Sequence, residues 1–204
     1  MSGGDMTIEQ RVTSLEIEVA QLRTALQGIT GNWPTPSRLV MSWPCGDVTR
    51  RQLAPWWVAV KYAQEYNGGQ YHTGYDFNMY SFLDSRQPVY VIADGFVRFA
   101  GRIDNAWLSA VIVEHTLENG RVFWTRYAHI NPIPALQVGS RILRGTQVGN
   151  IADYGRKGDQ DDHLHLDASW RDLGRDPDDW PGHDLDRVRL EYIDILPMIE
   201  ERLP

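Results

Sequence analysis

Apolar residues recur along this chain with two different periods. Between residues 7 and 28 they fall at Ile8, Val12, Leu15, Val19, Leu22 and Leu26, in alternating steps of four and three that mark a heptad seam. Thr7 with Gln10 forms a capping box, and Gly28 stands where a helix ends in a left-handed residue. The pattern predicts a coiled-coil helix over 7–28, with Val12, Val19 and Leu26 at a and Ile8, Leu15 and Leu22 at d. β-Branched residues at a with Leu at d favour a parallel homodimer, a trimer being the alternative. In that register Arg11 faces Glu16 of a partner helix and Glu18 faces Arg23, both pairs opposite in sign. The competing reading is an amphipathic helix docked on its own domain.

Beyond a Pro-containing linker at 29–37, the period shortens to two. Strands are predicted at Arg38 to Trp43, Pro88 to Ala93, Phe96 to Ala100, Leu108 to Thr116, Arg121 to His129 and His163 to Ser169. Glu118-Asn119-Gly120 supplies a hairpin turn between two of them. The stretch from Cys45 to Gln70 is turn-rich, with a short helix expected near Trp57 to Glu65. Repeated Val-Gly pairs at Val138-Gly139 and Val148-Gly149, with Gly145 between, suit a compact barrel with tight turns. Leu185 to Leu203 is predicted helical, broken or restarted at Pro197. The expected organisation is a helix at 7–28, a linker at 29–37, a mainly β domain at 38–183 and a helical tail at 184–204.

Charge narrows the functional classes. A net charge of −7 and a pI near 5.3 argue against a nucleic-acid partner, which calls for a basic footprint. No apolar run reaches the roughly 20 residues of a membrane span. No secretory signal is visible at the start, so export, if it occurs, is expected by another route. The single cysteine, Cys45, excludes an intrachain disulfide framework.

The chemistry begins at Asp162-His-Leu-His-Leu166. On a strand, residues two apart share a face, so this alternation puts His163 and His165 on one side and two leucines on the other. Such a pair is suited to hold a metal, or to hold it with one imidazole and move protons with the other. His72 and Asp76, four residues apart around Gly74, add an imidazole and a carboxylate. One histidine of the His-x-His pair then gives two His and one Asp, the ligand count of a catalytic zinc with an open fourth position. Tyr127-Ala-His129, at a strand end, adds another imidazole. Zinc lowers the pKa of a bound water to about 7, and amide hydrolysis also needs a proton acceptor and a stabiliser of the oxyanion.

These three motifs, His72-x-x-x-Asp76, Tyr127-Ala-His129-Ile130 and His163-Leu-His165, resemble those of the lysostaphin/LytM-type zinc metallopeptidases, the glycyl-glycine endopeptidase family. The resemblance extends from about Arg38 to Trp180 and includes Ile92-Ala-Asp-Gly95-Phe-Val97, Val111-Ile-Val113-Glu-His115 and Asp176-Pro177. It implies a mainly β fold, an antiparallel sheet and barrel-sandwich hybrid with a groove. It implies Zn2+ held by His72, Asp76 and His165, with His129 and His163 as the unligated catalytic pair. It implies as substrate the peptides of bacterial peptidoglycan, cross-bridge or stem, and hence action on the cell wall outside the cytoplasm, as by a phage endolysin or a virion-associated hydrolase. The sequence departs from the family in the acidic Asp161-Asp162 before the His-x-His pair and in Leu166 after it, where small residues and an aromatic are usual.

Other candidates are weaker. His115 and His183 read as structural and exposed, respectively. Cys45 could cap a zinc ion, against the simpler reading of a small buried thiol. Tyr71, Tyr75, Trp107 and Trp124 could line a peptide groove or pack a core. The alternative function is a non-catalytic zinc-binding or interaction protein that uses the same scaffold to assemble or activate a cell-wall or virion machine. A lipoyl- or biotin-carrier-like domain is disfavoured, because neither Lys61 nor Lys157 sits in a suitable hairpin.

Overall fold

A computed structural model of the chain describes residues 37–46, 53–66, 68–79, 84–153 and 162–204. The heptad seam of 7–28 lies outside them. The strands in chain order are β1 (Trp56–Val60), β2 (Glu65–Tyr66), β3 (Gln70–Tyr71), β4 (Gly74–Met79), β5 (Pro88–Tyr90), β6 (Gly95–Asp104), β7 (Leu108–Thr116), β8 (Val122–Ala128), β9 (Ile130–Pro132), β10 (Arg141–Ile142), β11 (Gln147–Ile151) and β12 (Leu164–Ser169). Two short helices follow, α1 (Leu185–Glu191) and α2 (Ile195–Glu201).

Seven strands form one sheet in the order β1-β4-β12-β8-β7-β6-β10, every pair antiparallel. A second sheet orders β5-β11-β9, and β2 pairs with β3 alone. The architecture is therefore mainly β and antiparallel. Among the described residues no barrel closes, since the large sheet ends at β1 on one side and β10 on the other.

Apolar residues of both larger sheets share one core. Phe77, Val111, Val113, Leu164 and Leu166 come from the large sheet, and Val89, Ile130, Val148 and Ile151 from the small one, all fully buried. Each such side chain contributes about 1.5–3 kcal/mol by leaving water. The backbone N–H of Ile92 donates to the buried phenol oxygen of Tyr127 at 2.8 Å, a polar tie inside that core.

Strand β12 is central. Every one of its six residues is buried, because it has β4 on one side and β8 on the other. Its approach to β4 requires glycine at residue 74, where a Cβ would stand 2.2 Å from the Leu166 carbonyl oxygen. The hairpin of β7 and β8 turns at Gly120, which has φ of 79°.

Three local expectations are corrected. Trp56–Val60 is a strand and not the start of a helix: its aromatic and β-branched residues pair with β4 from Trp56↔Met79 onward. In residues 38–43, Leu39, Met41, Ser42 and Trp43 are buried, but the segment joins no ladder; the backbone N–H groups of Met41 and Ser42 donate instead to the Arg202 and Ile92 carbonyls. The C-terminal helical stretch breaks before Pro197, at Tyr192, whose backbone is extended and bridges Ser169. Pro197 then sits in the first turn of α2, where a missing N–H breaks no helical bond. Helix α2 buries Ile195 and Ile199 in the main core, and Asp184 caps α1 by accepting from Arg187 N.

Candidate metal centre

Register brings the site together. On β12, His165 stands directly opposite Asp76 of β4, and on its other side opposite Ala128 of β8, the residue before His129. His72 lies at the turn from β3 into β4. The possible ligand atoms of His72, Asp76 and His165 all lie within 4.8 Å of one another, and all three residues are buried. Asp76 Oδ1 is 3.0 Å from His72 Nε2 and 3.0 Å from His165 Nδ1.

The outer nitrogens of both rings are already committed. His72 Nδ1 lies 2.8 Å from the Gly74 carbonyl oxygen, which can only accept, so this nitrogen carries the proton. His165 Nε2 lies 3.1 Å from a carboxylate oxygen of Asp167, which by the same reasoning receives its N–H. That leaves His72 Nε2 and His165 Nδ1 as the nitrogens facing the Asp76 oxygen. The three atoms can converge on one point by sharing a proton or by holding a metal cation between them, and neutral imidazoles would offer such a cation two lone pairs. Ligands of a tetrahedral zinc stand about 3.4 Å apart, so both the donor chemistry and the spacing fit that metal.

The electrostatics agree. Burial would raise the pKa of Asp76, but hydrogen bonds with His165 and His72 outweigh it and hold the carboxyl well below its usual range. Burial would lower that of His165, but the carboxylates of Asp167 and Asp76 prevail and raise it. The fold thus holds a buried negative charge and favours a positive partner beside it.

His163 and His129 flank the cluster. His163 Nε2 is 3.6 Å from Asp76 Oδ1, and its side chain is 22% exposed. The His129 ring centroid is 4.7 Å from that of His163 and 5.9 Å from that of His165. Burial, reinforced by the neighbouring His163 and His165, pushes the pKa of His129 well below the ordinary histidine value. Its backbone has φ of 60°, a left-handed conformation that costs a non-glycine residue energy. Trp107 holds the ring in place by stacking on it, centroids 5.9 Å apart and planes within 16°.

Two aromatic residues at the site were not singled out by the sequence. Trp180 lies 6.1 Å from His72, 6.0 Å from His165 and 5.3 Å from Trp107, ring to ring. Tyr66 meets His72 edge-on at 5.5 Å. Burial and the nearby Asp76 push the Tyr66 phenol up to about 12, so it keeps its proton at neutral pH. Nothing local in the sequence marks either residue; both arrive from segments distant along the chain.

Of the other sequence candidates, Trp107 belongs to the site, whereas Tyr75 turns away and donates its hydroxyl to Asp194. Trp124 packs with Ile112, Leu173 and Tyr192. The backbone N–H of Tyr71 donates to the Gly182 carbonyl at 2.6 Å. Cys45 is fully buried in the main core, outside the His72–Asp76–His165 cluster, and burial raises its pKa well above the usual thiol value. His115 is buried between the Asp94 carbonyl and Thr125 Oγ1, and His183 contacts Gln70 near the surface.

Comparison with known proteins bears on this arrangement. The model of the family described as Peptidase family M23 matches residues 70–177. No curated protein matches the chain. Among solved structures it is similar to a zinc containing peptidase from Vibrio cholerae, at 20% identity over 64% of this chain and 37% of that one, with a TM-score of 0.47. It is similar to lysostaphin from Staphylococcus simulans at 17% identity, over 84% of this chain and 56% of that one, TM-score 0.48. A chain of the SpoIIIAH and SpoIIQ complex matches at 17% identity, over 63% of this chain and 90% of that one, TM-score 0.49. The chain therefore spans little more than a third of the Vibrio peptidase and just over half of lysostaphin.

Proposed function

The chain belongs to peptidase family M23, and from that premise we propose that it is a zinc metalloendopeptidase hydrolysing peptide bonds of bacterial peptidoglycan, in the cross-bridge or the stem. What supports the reading is the convergence of His72 Nε2, His165 Nδ1 and Asp76 Oδ1, with both outer ring nitrogens already donating to Gly74 and Asp167.

His72, Asp76 and His165 would hold the metal. When bound, zinc would supply a Lewis acid and lower the pKa of a coordinated water to about 7. The protein's own groups would do the rest. His129 and His163, their rings 4.7 Å apart beside the cluster, take a proton from the attacking water and return one to the leaving amine. The protonated phenol of Tyr66 supplies a hydrogen bond to the oxyanion. Trp107, Trp180 and Tyr66 wall the site with rings that can pack against an extended peptide and exclude water. Action on the wall places the protein outside the cytoplasm when it works, and the heptads of 7–28 would join it into a homodimer or trimer.

Purified protein incubated with bacterial walls of different cross-link chemistry tests the reading. Mass spectrometry of the released muropeptides should find new peptide termini in at least one wall type. Intact peptides in every wall type would contradict it.

A further inference from the structure

Behind His165 lies a buried ion pair that the proposed chemistry does not use. Asp167 is two residues further along β12, on the same face, and stands in register with Arg126 of β8. Both side chains are 0% exposed, with Arg126 Nη2 2.5 Å from Asp167 Oδ2 and Nε 3.2 Å from Oδ1. Asp167 Oδ2 also accepts from Thr73 Oγ1 at 2.7 Å and from His165 Nε2 at 3.1 Å. Arg126 Nη1 donates to the carbonyls of Pro177 at 2.8 Å and Asp179 at 3.1 Å, and the guanidinium lies 3.8 Å from the Trp107 ring centroid.

Burying a carboxylate and a guanidinium costs several kcal/mol of hydration, and a pair of apolar side chains often fills such space with equal or better stability. The pair therefore needs another rationale, and its contacts give one. A forked guanidinium on one side and a hydroxyl on the other fix the plane of the Asp167 carboxylate. The fixed carboxylate has a further hydrogen-bond partner, the His165 imidazole.

We propose that Asp167 and Arg126, with Thr73, are positioning residues for the metal ligand His165: the carboxylate accepts the Nε2–H hydrogen bond, keeps the proton on that nitrogen, and so directs Nδ1 toward Asp76. A histidine free to adopt the other tautomer would offer an N–H to the metal position in place of a lone pair. The same guanidinium anchors the backbone at Pro177 and Asp179, which leads directly into Trp180. Arg126 thus sets a ligand and one wall of the site together.

This inference rests on the zinc reading, and Thr73 allows the two to be separated. Zinc affinity is measured on the full chain by competition with a chromophoric chelator, alongside the melting temperature of the metal-free protein. Wild type is expected to bind one zinc. Asp167→Asn should weaken binding about 10–100-fold. Thr73→Val, which keeps the shape and removes the hydroxyl, should weaken it by about tenfold, and Thr73→Ser should return it to within about twofold of wild type. If Asp167→Asn fails to fold, the Thr73 pair decides alone. Wild-type affinity in Thr73→Val, or equal loss in Thr73→Val and Thr73→Ser, overturns the positioning role while leaving the zinc reading intact. Absence of zinc binding in the wild type removes both.

Discussion

His165 and Asp76 face each other across neighbouring strands, with Nδ1 of the imidazole 3.0 Å from Oδ1 of the carboxylate. The opposite ring nitrogen points at a second carboxylate, Asp167. An imidazole between two buried carboxylates, with a second imidazole 3.0 Å from the first of them, makes a cation the natural occupant of the point between.

Zinc should therefore stabilise the fold. At a free concentration of about 100 times the dissociation constant, binding adds about 2.7 kcal/mol, which for a domain of this size raises the melting temperature by about 5–10 °C. Scanning calorimetry with and without added zinc should show that rise in the wild type. In Asp76→Asn the rise should largely disappear.

The proposed catalytic pair should separate from the proposed ligands. His129→Ala and His163→Ala are each expected to lower wall hydrolysis by about 10²–10⁴-fold while retaining one bound zinc per chain. Metal analysis and turbidity clearance on the same preparations check both halves. Loss of zinc in His163→Ala would move that residue into the ligand set.

Acid should destabilise the β scaffold through a histidine outside the His72–Asp76–His165 cluster. Burial drives the pKa of His115 down to about 4, although the Asp94 carbonyl and carboxylate oppose the shift. In the unfolded chain the same group titrates near 6.5. The unfolded state therefore takes up the proton first, so this contribution is complete above pH 6.5 and falls away as the pH drops through 4. Its size is about 3 kcal/mol over that window. Urea unfolding of metal-free protein between pH 4 and 7 should show a shallower pH dependence in His115→Gln than in wild type.

The heptads make a separate prediction. With Val12, Val19 and Leu26 on one seam, the full chain should run on gel filtration as a dimer or trimer, and a chain lacking residues 1–30 as a monomer. Equal oligomer sizes would exclude the coiled coil.

Much of the site was legible because strands convert spacing into geometry. His163 and His165 share a face by their period of two, and the same period, extended by one step, would have included Asp167. Its partner Arg126 was harder to read, since cross-strand register depends on the β8–β12 pairing and not on local sequence. Trp180 and Tyr66 were illegible for a similar reason: their proximity arises from the packing of the segment after β12 against β2 and β3. The strand at Trp56–Val60 was misread because turns around it hid a run too short for alternation to identify. At Pro197 the choice between a break and a restart was open in the sequence, and the structure takes the restart: a proline stops a helix in its interior but is accommodated in its first turn.

The central claim is that His72, Asp76 and His165 hold a zinc ion that the reaction requires. Zinc content and wall-lytic activity measured together on wild type and His165→Ala test it most directly. The account predicts one zinc per chain and lysis in the wild type, with both lost in the variant while its β-sheet circular dichroism is retained. A wild type without stoichiometric zinc, or a His165→Ala variant that lyses walls as well as wild type, would contradict it.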